Sequence, residues 1–346
     1  MTADVNKRTS HTNVFDLIGF FIRTASFVFM RYLITGGAGF VGSALANRLV
    51  ADGHEVRVLD DLSTGDANRL HSDVSFTNGS VNDLPKLWTL LQGVQCVYHV
   101  AARVNVAESV LYPRDYNAVN VDGTVSVLEA VRDTGVNRIV FTSSGTVYGE
   151  QPEQPLQESM TPDPRSPYAV SKLAAEYYVR TTGILWKIET VSLRIFNAYG
   201  PGQPLPTAHP PVIPAFLKRA EKGESIVIHG DGKQTRDYVY IDDVIDALVT
   251  ASTAPGVDRR VINVGSGVET SLNDLIACVD SVTKRELAPL YVPAQDGGVS
   301  RMCADLTLAG KILAFAPKVS LAEGLRRTLS IDPRFRGTGT LPAVKL

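Results

Sequence analysis

Residues Arg31 to Asp60 read RYLITGGAGFVGSALANRLVADGHEVRVLD. This stretch opens with a short apolar run, residues 32–35, which is typical of a buried parallel strand. The run stops at a glycine-rich turn, residues 36–42, and a helical pattern follows as far as Gly53. A second apolar run then reaches Asp60. This order predicts a strand, a tight turn, a helix and a second strand, which is how an α/β fold begins.

The glycine-rich turn has the features of a dinucleotide site. Residues without a Cβ atom let the backbone approach a pyrophosphate, whose charge lies at the positive end of the following helix. Asp60 stands about 20 residues further on, where a carboxylate can accept hydrogen bonds from ribose hydroxyls. Asp61 adds to the repulsion of a 2′-phosphate, and Arg57 is the only nearby cation. The motif predicts NAD rather than NADP, with Asp60 and Asp61 as cofactor residues; the alternative is a plain glycine turn.

Composition narrows the classes of partner. With 346 residues, 44% of them hydrophobic, the chain can hold one large or two modest domains with a packed core. The 34 Lys and Arg residues against 36 Asp and Glu leave no basic excess, so we expect no nucleic-acid partner. Cys96, Cys278 and Cys303 lie far apart and the histidines show no ligand spacing. Reduced thiols, a cytoplasmic protein and no metal are the expectation.

The two ends of the chain lie outside this pattern. Residues 14–29 are hydrophobic, but Asp16 and Arg23 interrupt them, so they do not predict a transmembrane helix. A signal peptide is the alternative, although no clean cleavage site follows. We expect an N-terminal extension over residues 1–29, a natural start at Met30 and no membrane association. Residues 331–346 are predicted to form a poorly ordered tail.

Strands and helices alternate after Asp60. Further elements are predicted as strands at 74–76, 96–100 and 138–142, a helix at 84–91 and a long helix from Pro113 to Gly135. Because no hairpin signals separate them, we expect a Rossmann-type, doubly wound parallel sheet. Ligands of such sheets bind beyond the carboxyl ends of the strands. The strand ends that should converge on one crevice are residues 36–42, Asp60, Ala101–Ala102 and Ser143–Ser144.

Hydroxyl, phenol and amine side chains follow the fifth predicted strand. Ser144 follows that strand, and a helix that begins at Pro167 carries Tyr168 and Lys172 four residues apart, on one face. A phenol of pKa about 10 is a poor base near neutrality, but a neighbouring ammonium favours the phenolate. Ser144 can hydrogen-bond the same substrate oxygen. The alternative for Tyr168 and Lys172 is an ordinary pair on a helix surface.

These motifs resemble a known family. TGGAGFVG, HVAA, SSGTVYG and YAVSK, with Asp60, resemble the extended short-chain dehydrogenase/reductases, and within them the NAD-dependent nucleotide-sugar epimerase/dehydratase group, above all its UDP-glucose 4-epimerase-like members. The resemblance covers residues 30–329 and implies Ser144, Tyr168 and Lys172 as the catalytic residues. It implies cofactor contacts from Gly36, Gly39, Phe40, Val41, Asp60, Ala101, Ala102, Tyr168 and Lys172, with Asn120 either structural or near the nicotinamide.

The second half resembles the substrate segments of the same group. In LRIFNAYGP, residues 193–201, the resemblance implies that Asn197 reaches the substrate diphosphate. In GDGKQTRDYV, residues 230–239, it implies that Arg236 holds the nucleotide phosphates, a task suited to the fixed fork of guanidinium donors. Without the resemblance, Arg236 would be interpreted as the partner of Asp237 in a surface ion pair.

Three positions depart from the pattern of the group. Ser80 stands where an Asp usually touches adenine, and Gln295 where an Arg usually binds phosphate. Arg301 lies nearby and is our candidate replacement for that substrate-binding Arg. Met302 stands where the group sets sugar size near the N-acetyl position, and its preference stays open.

Beyond residue 196 the pattern predicts a smaller, mixed α/β substrate-binding lobe. Its predicted elements are helices at 212–221 and 241–251, strands at 226–228 and 261–264, and a helix start at Ser271 and Asp274. We expect an NAD-binding domain over residues 30–196, to which 241–265 return, and a nucleotide-sugar lobe mainly over 197–330. The resemblance implies a homodimer through helices 113–134 and 168–182.

The resemblance implies an NAD-dependent nucleotide-sugar 4-epimerase. Its substrates would be UDP-glucose and UDP-galactose or their N-acetylated equivalents, oxidised transiently at C4 to a 4-keto sugar. A 4,6-dehydratase needs an acid and a base where Gly145 and Thr146 stand, so it fits less well. A 4-keto reductase and a non-catalytic NAD-binding scaffold stay open as alternatives.

Overall fold

The computed structural model describes residues 29–294 and 298–335. The strands within these ranges are β1 (Arg31–Thr35), β2 (Glu55–Asp60), β3 (Ser75–Asn78), β4 (Cys96–His99), β5 (Arg138–Ser144), β6 (Glu189–Ile195), β7 (Asn197–Tyr199), β8 (Ile226–His229), β9 (Thr235–Tyr240), β10 (Arg260–Val264), β11 (Glu269–Ser271) and β12 (Pro289–Val292).

The α-helices within the same ranges are α1 (Phe40–Ala51), α2 (Leu84–Leu90), α3 (Val106–Leu111), α4 (Pro113–Asn117), α5 (Gly123–Thr134), α6 (Pro167–Trp186), α7 (Val212–Lys222), α8 (Ile241–Thr253), α9 (Leu272–Thr283), α10 (Thr307–Leu313) and α11 (Leu321–Ile331). Short 3₁₀ turns cover Ala67–Arg69, Gly145–Tyr148 and Pro333–Phe335, and a π-helical turn covers Ala118–Asp122.

A seven-stranded parallel sheet forms the centre, in the order β3-β2-β1-β4-β5-β6-β10. The predicted Rossmann-type fold is confirmed. The order in which strands are added reverses at β1: β2 and β3 lie on one side of it, and β4 and the later strands lie on the other. This reversal opens a crevice beyond the carboxyl ends of the strands, where ligands of doubly wound sheets bind.

Alternate residues of each central strand face two different helical layers. Ile34 of β1 lies in the apolar cluster that includes Leu45 of α1 and Leu248 of α8. Its neighbour Leu33 lies in the cluster on the other face, with Leu128 of α5 among others. Because side chains alternate along a strand, an apolar run such as 32–35 can be buried on both faces at once.

The smaller part of the molecule carries two short sheets. One has the order β11-β9-β7, with β9 and β11 antiparallel, and the other pairs β12 with β8. β10 pairs with β6 and so joins the central sheet. The predicted capping box at the start of α9 is confirmed, because Ser271 and Asp274 bond each other's backbone N–H groups.

The long helix predicted from Pro113 to Gly135 is confirmed as one continuous helical run over residues 113–134, with Gly135 as its C-cap. The π-helical turn lies inside this run and joins α4 to α5; it carries an extra residue that no apolar spacing reveals. The prediction that the tail after Ile331 is poorly ordered was wrong at its start. The start of the predicted tail is ordered: Phe335 is buried in the core, and the Asp332 carboxylate accepts a hydrogen bond from Gly202 N at 2.8 Å.

Some predictions fall outside the described residues. These are the extension over 1–28, the end of the tail over 336–346, and Gln295. Within 29–294 and 298–335, no helix has both the length and the apolar character needed to cross a bilayer.

Candidate active site

The glycine turn after β1 is shaped for close backbone approach. Gly36 has a φ of +70°, and a Cβ atom there would lie 2.6 Å from both N and Cα of Ala101. Gly39 precedes α1, and no side chain in the described part of the chain caps that helix. The first backbone N–H groups of α1, those of Phe40 and Val41 among them, are therefore available to an anion. A pyrophosphate fits this cradle.

Asp60 binds the turn while leaving acceptor capacity. The buried carboxylate accepts hydrogen bonds from Ala38 N at 2.9 Å and Leu62 N at 2.8 Å, one on each oxygen. A carboxylate has about four lone-pair sites, so ribose hydroxyls can still donate to it. Asp61 is exposed and accepts a hydrogen bond from Ser63 N at 2.9 Å.

The cation nearest in sequence to Asp60 is held elsewhere. Arg57 donates to the carbonyl groups of Leu90 and Gln92, at 2.7 and 2.9 Å, and pairs with Glu55. Its guanidinium is therefore occupied near the start of β2 and does not compensate the two carboxylates at the strand's end. The two carboxylates beyond β2 are hydrogen-bond acceptors, and they fit the unphosphorylated ribose hydroxyls of NAD.

His99 at the end of β4 is a structural residue that sequence reasoning missed. Its buried ring bonds Thr35 Oγ1 through Nδ1 at 2.7 Å and Thr124 Oγ1 through Nε2 at 2.9 Å. Burial, with a contribution from Lys172, lowers the pKa of His99 to about 3, so the ring is neutral. It links the last residue of β1 to α5, beside Ala101 and the crevice.

Asn120, in the π-helical turn, is buried, and its side-chain amide makes hydrogen bonds through both its oxygen and its nitrogen. Its Nδ2 donates to Arg103 O at 3.0 Å and Ser171 Oγ at 2.9 Å, while its Oδ1 accepts from Arg103 N at 2.8 Å. Both amide hydrogens are therefore used inside the protein. Asn120 holds the loop after Ala102 against α6, the helix of Tyr168 and Lys172.

The structure brings Ser144, Tyr168 and Lys172 together. Ser144 is the last residue of β5, and α6 begins beside it because Ser166 caps the helix, accepting from Ala169 N at 3.1 Å, and Pro167 occupies its first turn. Tyr168 and Lys172 follow on one face, and all three side chains are buried. Burial raises the pKa of Tyr168, and a hydrogen bond with Ser144 acts in the opposite direction.

Thr146 orients the Ser144 hydroxyl. Its backbone N and its Oγ1 both donate to Ser144 Oγ, at 3.2 and 2.9 Å. With both lone pairs engaged by Thr146, Ser144 acts only as a donor, toward Tyr168 in this structure and toward a substrate oxygen when one is bound. Thr146 is part of the SSGT pattern, but the sequence pattern alone did not show that its side chain bonds Ser144.

Two opposing effects act on the charge of Lys172, its burial and a neighbouring carboxylate. Its Nζ is 4.3 Å from the centroid of the Phe141 ring. Burial lowers the pKa of Lys172 to about 7, and the carboxylate of Glu176 opposes that shift. The ammonium therefore exists near neutrality, where it can stabilise a neighbouring phenolate.

The small sheet gathers the predicted nucleotide residues on one face. Asn197 of β7 lies opposite Tyr238 of β9 in the register, and Arg236 is two residues from Tyr238 on the same side. Asn197 is exposed, whereas the Tyr238 hydroxyl is buried and has no hydrogen-bond partner among the described residues. Arg236 is half-buried, which lowers its pKa. Tyr238 was not predicted; its alternation with Arg236 along β9 is the signal that could have found it.

The alternative interpretation of Arg236 as the partner of Asp237 is wrong. Asp237 points to the other side of β9 and is fully buried. Its carboxylate accepts hydrogen bonds from Ser266 N and Oγ at 2.5 and 2.7 Å, from Gly267 N at 2.9 Å and from Ala304 N at 3.0 Å.

Arg301 is not brought to Arg236. Its guanidinium makes a bidentate ion pair with Glu269, with both N–O distances 2.6 Å. Glu269 lies opposite Asp237 in the register of β11 and β9, so this pair lies on the face away from Arg236. The replacement of the missing phosphate-binding Arg by Arg301 therefore has no support in the geometry.

The other departures lie in different surroundings. Met302 is buried in a cluster with Tyr148 and Phe196, directly beside the strand ends. Ser80 is exposed, and its Oγ accepts a hydrogen bond from Asn82 N at 3.1 Å. Within the described ranges, no group of three or more His, Cys, Asp or Glu side chains could hold a metal ion.

Comparison with known proteins agrees with this geometry. Residues 32–265 match the model of the NAD dependent epimerase/dehydratase family. The UDP-glucose 4-epimerase of Mycolicibacterium smegmatis is 40% identical over 307 residues, which are 87% of this chain and 97% of that protein. The fold class, the family resemblance and the use of NAD that the sequence predicted are confirmed.

Solved structures lead to the same family. The UDP-glucose 4-epimerase of Thermotoga maritima with UDP-glucose superposes with a TM-score of 0.84 at 35% identity, covering 89% of this chain and 99% of that one. The UDP-glucose 4-epimerase of Thermus thermophilus in complex with NAD gives 0.81 at 34% identity, covering 90% and 100%. This chain belongs to the NAD-dependent epimerase/dehydratase family.

Proposed function

We propose that this protein is an NAD-dependent UDP-sugar 4-epimerase that interconverts UDP-glucose and UDP-galactose or their N-acetylated equivalents. The observation that carries the proposal is the burial of Ser144, Tyr168 and Lys172 together at the carboxyl edge of the sheet, next to the glycine turn. The relatives named as UDP-glucose 4-epimerases support the same reaction.

The catalytic steps follow from the three side chains. Tyr168 as phenolate accepts the proton of the sugar C4 hydroxyl, Lys172 stabilises the phenolate, and Ser144 donates a hydrogen bond to the same oxygen. NAD held by the glycine turn and Asp60 would supply a reversible hydride acceptor for C4 of the sugar. Tyr168 returns the proton to O4 after the sugar has presented its other face. Since proton and hydride both return, the reaction is redox-neutral.

The nucleotide would be held away from the reacting carbon. Arg236 is suited to the diphosphate, and Asn197 and Tyr238 share its face of the small sheet. Anchoring through the nucleotide leaves the 4-keto sugar free to turn. A dehydratase is disfavoured because Gly145 carries no acid or base and Thr146 is bonded to Ser144.

The wider organisation is proposed on the same basis. An NAD-binding domain over residues 30–196 and 241–265 would face a nucleotide-sugar lobe mainly over 197–330. Exposed apolar side chains on α6 support a homodimer through helices 113–134 and 168–182; they are Val170, Tyr177, Tyr178, Ile184 and Leu185. The three free cysteines, two of them buried, support a cytoplasmic location.

The function is tested on purified protein with no cofactor added. Denaturation should release NAD, and a parallel sample incubated with UDP-glucose or UDP-N-acetylglucosamine should form the C4 epimer, followed by NMR. If no epimer forms but added NADH is consumed with a nucleotide 4-keto sugar, the protein is a 4-keto reductase instead. Released NAD without turnover of any nucleotide sugar would indicate a non-catalytic NAD binder.

A further inference from the structure

A buried ion pair lies directly behind the catalytic residues. Glu176 is one helical turn after Lys172 on α6, and its carboxylate accepts from Arg194 Nη2 at 2.7 Å and Nε at 3.0 Å. The two side chains are only 3% and 5% exposed. Burying two charges is costly even when they pair, so stability alone does not account for them.

Glu176 links α6, which carries Tyr168 and Lys172, both to β6 through Arg194 and to β5, which carries Ser144, through Ser143. Arg194 of β6 lies opposite Ser143 of β5, and Ser143 Oγ donates to Glu176 Oε2 at 2.6 Å. The residue after Ser143 is Ser144. The Arg194 guanidinium also lies over the Tyr148 ring, 4.6 Å from its centroid, which fixes it from the other side. Glu176 therefore stands in one place, between strand and helix.

The groups that face Lys172 come from several elements. From β5 the Phe141 ring contacts its Nζ, and from β4 the neutral His99 stacks on that same ring at 5.7 Å between centroids. Tyr168 lies on its own helix, and Arg194 of β6 stands behind Glu176. Among these charged or titratable neighbours, the carboxylate of Glu176 is the one that raises the pKa of Lys172, against the effect of burial.

We propose that Glu176, held by Arg194 and Ser143, is a positioning residue that keeps Lys172 in its charged form and thereby sets the pH range over which Tyr168 works as the base. The proposal rests on the function proposed above for Tyr168 and Lys172. Glu176 does not reach the substrate; it acts through the ammonium.

Removing the charge of Glu176 has two consequences of opposite direction. Lys172 loses its proton at lower pH, so the alkaline flank of the pH profile moves down. Tyr168 loses the support of the ammonium, so its phenolate forms at higher pH and the acid flank moves up. The profile narrows from both sides. If Glu176 had a purely structural role, its replacement would lower kcat at every pH and would leave both flanks of the pH profile in place.

The experiment compares Glu176→Gln with the natural protein, both loaded with NAD. The pH profile of kcat should narrow, each flank moving by about one pH unit, at the lower end of what one close charge does. The Tyr168 phenolate, measured by ultraviolet absorbance against Tyr168→Phe without substrate, should appear at higher pH in Glu176→Gln. Flanks and phenolate titration that stay in place would overturn the proposal.

Three variants make the test specific. Ser143→Ala removes one hydrogen bond and Glu176→Asp keeps the charge, so neither should narrow the profile; equal narrowing in both would overturn the proposal. Glu176→Gln leaves Arg194 unpaired, so Glu176→Gln with Arg194→Met provides a neutral pair if the single variant fails to fold. It should narrow the profile less than the single variant. The phenolate titration needs no turnover, so it separates failure of the proposal from failure of the function.

Discussion

At the cofactor side of the crevice the geometry is made by backbone, whereas at the small sheet it is made by side chains. Gly36 fits against the backbone of Ala101, and Asp60 is bonded to the N–H groups of Ala38 and Leu62. On the substrate side, Arg236 and Tyr238 of β9 present a charge and a hydroxyl that has no partner among the described residues. The first region would tolerate few changes, and the second can change its ligand by changing side chains.

The largest effect is expected from loss of one of the proposed catalytic residues, Ser144, Tyr168 and Lys172. Tyr168→Phe removes the proton acceptor and should lower kcat by about 10²- to 10⁴-fold. NAD released on denaturation should match the natural protein, because the glycine turn is intact. The measurement is the NMR rate of epimer formation; a fall of less than about tenfold would mean that another group takes the proton.

Next in size is the backbone fit of the cofactor side. Gly36→Ala should cost about 2–5 kcal/mol of unfolding free energy, from left-handed strain and from the clash with Ala101, and the purified protein should carry no NAD. Gly135→Ala is the matched control, since Gly135 has a φ of +71° and no atom of the described residues would lie within 4 Å of a Cβ atom there. It should cost about 1 kcal/mol and keep NAD. Urea unfolding measures the free energy of unfolding of both variants, and denaturation of the purified proteins measures the NAD that they carry. Equal loss of NAD in both variants would refute the argument from close backbone approach at Gly36.

A smaller effect is expected on the substrate side. Arg236→Ala should raise KM for the UDP-sugar by about 10- to 100-fold, because the phosphate loses its hydrogen bonds to a charged donor. The amount of bound NAD should not change. Arg301→Ala should leave KM within about twofold, because Arg301 pairs with Glu269 on the opposite face. If steady-state kinetics give the larger rise for Arg301→Ala, the assignment of faces to β9 is wrong.

The smallest effect concerns the neutral His99. The pKa of His99 is about 3 in the folded protein and 6.5 in the unfolded chain. Between these pH values the unfolded chain binds a proton at His99 and the folded protein does not. Between those values stability falls as pH falls, by up to about 1.4 kcal/mol per pH unit from this residue. His99→Gln should flatten the slope of unfolding free energy between about pH 6 and pH 5. An unchanged slope in urea titrations would show that His99 is protonated when folded.

The strand, turn and helix that begin the fold, and the use of NAD, could be predicted from the sequence because their signals are local. Gly36, Asp60 and the strand between them lie within 30 residues, and each constrains the next through backbone geometry. The Tyr168–Lys172 pair was equally readable, since helical spacing places both on one face. His99 and Thr146 were missed because their partners come from other elements or depend on hydroxyl orientation.

The substrate side was less predictable for the same physical reason. Arg301 is close in sequence to the missing Arg, but the antiparallel pairing of β11 with β9 puts its partner Glu269 on the opposite face. No local pattern reports such a pairing. The π-helical turn within helix 113–134 was unpredictable for a similar reason, because Asn120 is held by Arg103 and Ser171 from distant segments.

The four hydrogen bonds that Asp237 accepts have a consequence for engineering specificity. Neighbouring residues of β9 have different roles: Asp237 fastens the strand to the turn at residues 266–267 and to Ala304, while Arg236 lies on the opposite face, which we propose binds the nucleotide. A single inserted or deleted residue before β9 would exchange the two. Anyone transplanting substrate preference into this scaffold should therefore move β9, that turn and the segment at Ala304 as one cassette.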